Sequence, residues 1–155
     1  MVEIRDCTQL DVDQLKSCMR KGDIEECEAL GLKPKHALQT SYDISPMSWS
    51  AHYKNRVFCI FGIVPLSYTE GTCSGWLLAS DVLTHNKKIV QPCIKVSKEY
   101  FDHIFQYFDV ITNVVKSDNT TAVRWLKCFG AEMLLPEPLG VNGELFNKFI
   151  IRKAQ

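Results

Sequence analysis

The chain has 155 residues, so one domain spanning residues 1–155 is expected. At 46% hydrophobic and 23% charged residues it can bury an ordinary core. Eighteen basic and eighteen acidic residues cancel, which supplies no field for holding nucleic acid or an anionic membrane, and neither is expected as a partner.

Val2 to Asp6 alternates and reads as a first strand. Asp11 to Gly31 reads as helical, because Leu15, Cys18, Met19, Gly22, Glu26 and Leu30 recur roughly every 3.6 residues, and all but Glu26 suit a core. Gly22 costs about 1 kcal/mol inside a helix, which places a break near Gly22 and Asp23 if there is one. Asp23, Glu25, Glu26 and Glu28 read as a solvated acidic face. Pro34 suits the first position of a further helix, with Ala37, Leu38, Ser41 and Tyr42 on its buried side. Asp43 to Ser50 reads as a loop.

Trp49 to Lys54 and Val57 to Leu66 read as a β-hairpin turning at Lys54, Asn55 and Arg56. The near-continuous apolar run from Val57 to Val64 suits a central strand covered on both faces, and Gly62 within it marks a bulge or a close backbone approach. Ser74 to Leu83 is a further apolar strand. Spacings of three and four from Ile89 to Tyr107 predict a long helix over Lys88 to Phe108, with Pro92 near its start.

Val110 to Val115 is β-branched and apolar, as a buried strand requires. Ser117, Asp118 and Asn119 are helix-capping types; Ala122, Trp125, Leu126 and Phe129 share one helix face; Gly130 suits the left-handed stop. Glu132 to Leu135 resumes as a strand, Gly140 to Gly143 turns, and Leu145 to Arg152 is the last strand. The order β, α, α, β, β, β, α, β, α, β, β implies an α/β (mixed α+β) fold, a sheet with helices on both faces.

The seven cysteines are scattered without a C-x-x-C pair, so zinc-site spacing is absent, and buried apolar roles for most of them in a reducing cytosol are expected. No opening segment looks like a signal peptide, and no run of about 18 apolar residues could span a membrane.

The run from Asn119 to Glu132, with its preceding strand, resembles the C-terminal half of the Gcn5-related N-acetyltransferase (GNAT) fold. It is similar in particular to the small internal virion protein A family of short-tailed phages, whose pattern is carried here by Gly75, Trp76, Leu77, Ser80, Asp81, Asn119, Thr120, Arg124, Trp125, Leu126, Lys127, Gly130 and Ala131. The match is good from about Gly71 to Ala131. It implies a twisted mixed sheet of six to seven strands that splays in a V between Ser74–Leu83 and Val110–Val115. It also implies a virion component or assembly factor that contacts other phage virion or host proteins, made in the host cytoplasm and open to packaging in the virion.

In the GNAT fold acetyl-CoA lies in that V, its pyrophosphate on the amides of a Gly-rich helix start. Carried onto this chain, the resemblance implies Leu78, Ala79 and Ser80 at the strand end, Lys87 and Lys88 at the helix start, and Asn119 as the acetyl-CoA contacts. Two departures weaken that implication. Residues 80–92 contain no Gly, and Leu126 stands where many GNAT enzymes place the Tyr that protonates the leaving thiolate. The alternative function is an active acyl-CoA-dependent N-acetyltransferase that modifies a host or phage protein. No catalytic residue is assigned: His85 and Tyr100 are not tied to the V, and Asp81 and His85 with Cys73 or Cys93 imply no geometry. Asp102 and His103 point apart on a helix. Trp49, Trp76 and Trp125 read as core.

Overall fold

In the computed structural model, which describes residues 1–155, the chain begins with β1 (Val2–Asp6), α1 (Gln9–Lys16), α2 (Lys21–Ala29) and α3 (Pro34–Ile44). The strands β2 (Met47–Tyr53), β3 (Arg56–Ser67) and β4 (Thr72–Ala79) follow, then the short α4 (Val82–His85) and the long α5 (Lys87–Ile104). The chain closes with β5 (Val110–Lys116), α6 (Thr120–Cys128), β6 (Glu132–Met133) and β7 (Phe146–Arg152).

The seven strands form one mixed sheet in the order β1-β2-β3-β4-β5-β7-β6, in which only β4 and β5 run parallel. The β2–β3 hairpin turns at Lys54 and Asn55, whose φ angles of 51° and 60° match the twist of the flanking strands. Central β3 buries Phe58, Cys59, Ile60 and Ile63, as its apolar run requires. Gly62 is a close approach rather than a bulge: a Cβ there would lie 2.7 Å from the Met47 carbonyl oxygen. One layer holds α1, α2 and α3, with Val12, Leu15 and Leu38 packed against Ile60 and Leu78. The other holds α5 and α6, which pack against Ile63, Ile111 and Val115 through Ile104, Ala122 and Leu126.

The expected V between β4 and β5 is present, and its origin is local. The two strands pair only from Thr72 to Ser74 against Val110 to Thr112. One residue later the Asn113 side chain replaces the ladder: its Nδ2 donates to the Gly75 carbonyl (2.8 Å) and its Oδ1 accepts the Val114 N–H (2.8 Å). Two backbone groups at the point of parting, the Gly75 carbonyl and the Val114 N–H, are thus satisfied by one amide instead of by the facing strand. At the point of parting only Gly fits, because a Cβ on Gly75 would lie 2.6 Å from Ile111 Cγ2.

Four expectations need correction. The first helical stretch breaks at Ser17 to Arg20, not at Gly22, because Met19 bridges to Ser80 and the Arg20 N–H donates to the Ala79 carbonyl at 2.8 Å. Pairing to a strand edge outweighs helical periodicity there. Residues 43–50 are not one loop: α3 runs to Ile44 and β2 starts at Met47. Strand β4 ends at Ala79, and Ser80 Oγ accepts the Val82 N–H at the start of α4, so Val82 and Leu83 are helical. Asp23 and Glu26 do not lie on a solvated face but turn inward, as the cleft shows.

Candidate functional site: the cleft between β4 and β5

The diverging strands leave a cavity of about 270 Å³ that runs through the gap in the sheet. Its walls are largely hydrophobic: Leu78 from β4, Val114 from β5, Cys93 and Phe101 from α5, and Trp125 and Leu126 from α6. Trp125 reaches the cluster of Leu83, Ile89 and Cys93, which ties α6 to the start of α5. Phe101 and Phe129 meet beside it with ring centroids 4.8 Å apart.

The wide end of the V is closed by the chain's own polar side chains. Arg20, which immediately precedes α2, donates to Asp23 Oδ1 at 2.5 Å and to Asn119 Oδ1 at 3.1 Å. Asp23 Oδ2 accepts the Ala79 N–H of β4 at 2.8 Å. One turn on, Glu26 Oε1 accepts the Lys116 N–H of β5 at 2.5 Å. The two carboxylates of α2 thus take one backbone amide from each arm of the V. Arg20, Asp23 and Asn119 are 8%, 3% and 6% exposed.

Burial dominates the electrostatics. Loss of water raises the Asp23 carboxyl above its usual range, and the Arg20 guanidinium and the Ala79 N–H offset this only in part. Glu26 is pushed up to about 7, chiefly by burial, with the Lys116 N–H acting against it and the nearby Asp23 carboxylate adding to it. Asn119 Nδ2 is the one buried side-chain nitrogen or oxygen without a hydrogen-bond partner. Asn119 precedes α6 as expected, but its side chain makes no capping bond and serves the Arg20 cluster instead.

Of the residues matched to acetyl-CoA contacts, Leu78 lies in the cavity wall and the Ala79 N–H is occupied by Asp23. Ser80 is buried against Met19, and Asn119 joins the closing cluster. Lys87 and Lys88 stand exposed at the start of α5, where the Asn86 side chain already accepts the Lys88 N–H at 3.1 Å. The residues present do not fit the pyrophosphate or the thioester arm of acetyl-CoA. Two strand amides at the mouth carry carboxylates, one helix-start amide is capped, and no Gly lets a phosphate approach the backbone.

Sequence reasoning missed Arg20, Asp23 and Glu26 as members of the site. One signal was available: Glu26 falls on the otherwise apolar stripe of its helix, which in an amphipathic pattern marks an inward-facing acid. Of the other residues weighed for chemistry, Cys93 and Tyr100 line the cavity and His85 does not. Tyr100 reaches the cavity wall, yet its hydroxyl donates to the Ile4 carbonyl at 3.2 Å. His85 is exposed on α4. A buried serine, histidine and aspartate meet beneath α1: Ser50 Oγ donates to Asp11 Oδ2 at 2.8 Å and lies 2.9 Å from His52 Nε2, which accepts from Arg5 Nε at 3.2 Å. Ser50 is fully buried, and this group braces α1 on the sheet.

Solved structures share this architecture. Ard1 from Thermoplasma volcanium aligns over 99% of this chain and 99% of its own, with TM-score 0.72 and 11% identity. Spermidine N-acetyltransferase from Vibrio cholerae, solved with CoA and spermine, aligns over 97% and 95% with TM-score 0.71 and 12% identity. The ribosomal-protein-S18-alanine N-acetyltransferase from Escherichia coli aligns over 100% and 97% with TM-score 0.66 and 10% identity. At these identities the likeness establishes the fold, which is that of the GNAT acetyltransferases. No curated protein matches the sequence. A family model described as "Bacteriophage T7, probable scaffold protein Gp13" matches residues 57–134, from β3 through β6 and half of the chain, and the chain belongs to that family.

Proposed function

We propose that this chain is a phage protein of virion assembly, of the internal virion protein A kind, that uses the GNAT fold as a scaffold and acts through contacts with other virion or host proteins. Two findings support this reading: the match to a family described as a probable scaffold protein, and a cleft that does not fit acetyl-CoA. The observation that carries it is the closure of the V, in which Asp23 and Glu26 occupy the Ala79 and Lys116 amides. Leu126 has no proton to give a leaving thiolate. Mass spectrometry of purified particles and infected lysates tests the assembly role. Co-purification with capsid, portal or internal proteins is expected, and its absence from both samples would remove the support.

A second reading, an acyl-CoA-dependent N-acetyltransferase, draws on one observation. Glu26 lies in the cavity wall with its carboxyl pushed up to about 7, near the value that suits a general base. Transfer of radiolabelled acetyl groups from acetyl-CoA to lysate proteins, lost in Glu26→Gln, would establish it. The closed mouth predicts no transfer.

A further inference from the structure

We infer that the cavity inside the V is a binding site for an uncharged aliphatic molecule larger than benzene. Its volume is about 270 Å³. It exceeds the roughly 150 Å³ of an engineered apolar cavity that stays dry and takes up benzene. Of its 35 lining residues 26 are hydrophobic, so a bound chain would exchange water for carbon contacts along most of its length.

The charge at the polar end selects the class of ligand. Arg20 is committed to Asp23 and Asn119, Asp23 also to the Ala79 N–H, and Glu26 to the Lys116 N–H. An ionised head group would lose its water and meet charges already engaged with one another. A hydroxyl gives up less on desolvation and can share the outer lone pairs of these carboxylates. The same engagement closes the α2 side.

The test uses the full chain and three probes of equal length: 1-octanol, octanoate and octylamine. Trp76 and Trp125 line the cavity and report occupancy by fluorescence. A saturable change with 1-octanol is expected, at least tenfold weaker with either ion. Ala122→Phe and Ser97→Phe each place a ring in the cavity from α6 and α5, and each should weaken 1-octanol binding at least tenfold while circular dichroism shows the fold intact. The paired variants allow for one failing to fold. No saturable change with 1-octanol, equal response in a folded filled variant, or tighter binding of either ion would overturn the inference.

Discussion

At Glu26 burial and ionisation conflict. Its carboxyl titrates near 4.5 in the unfolded chain and at about 7 in the fold, so the folded state holds the proton more tightly. The contribution is therefore fully present below pH 4.5 and is lost as pH rises to about 7. The loss amounts to about 3 kcal/mol at 1.36 kcal/mol per pKa unit. Glu26→Gln keeps an oxygen for the Lys116 N–H and has no proton to lose. Urea unfolding should show the variant more stable than the parent at pH 8, with the difference vanishing near pH 4.5. His52 acts in the opposite sense: burial, aided by Arg5, lowers its pKa, so its contribution is present above about 6.5 and fades as pH falls. The difference between variant and parent isolates Glu26 from this second slope. Arg20→Met would strand the Asp23 carboxylate in a buried site and should cost about 3–5 kcal/mol in the same assay. A loss below 1 kcal/mol would show that water reaches the cluster.

At the scale of elements, the V is made by Asn113 and Gly75 rather than by the shape of the whole sheet. Asn113→Ala leaves the Gly75 carbonyl and the Val114 N–H without their partner and should cost about 1–3 kcal/mol. Hydrogen exchange should quicken at Val114 before it quickens at Ile111, which lies in the paired segment. Gly130 ends α6 at φ 80° with nothing within 4 Å of a built Cβ, so its cost on substitution is backbone strain alone. Gly130→Ala should destabilise by about 1–2 kcal/mol, read as a fall in Tm. These elements were legible from local chemistry: the hairpin turn, the buried strand β3 and the Gly stop each follow from the residues on the spot. The helix break was not, because Met19 and Arg20 leave the helix to pair with Ala79 and Ser80, some sixty residues away in sequence. Local periodicity carries no information about such a partner.

For the whole molecule, the fold was readable because strand order and the Asn119–Ala131 run agree, and the seven-stranded sheet with layers on both faces follows. The candidate site was half readable. Leu78, Ala79, Ser80 and Asn119 do gather at the V, while Lys87 and Lys88 stand at the exposed start of α5. The closing acids were hidden in a run of four acidic residues that resembles a solvated face, and only contacts across the sheet distinguish Asp23 and Glu26 from Glu25 and Glu28. The GNAT scaffold is thus kept, while the Ala79 N–H and Asn119, two of the contacts that the resemblance implies, are engaged by Asp23 and Arg20. Calorimetric titration of the full chain with acetyl-CoA tests this most directly. The closed cleft predicts no saturable heat at high micromolar concentrations; one-to-one binding abolished by joint Lys87→Glu and Lys88→Glu substitution would contradict it.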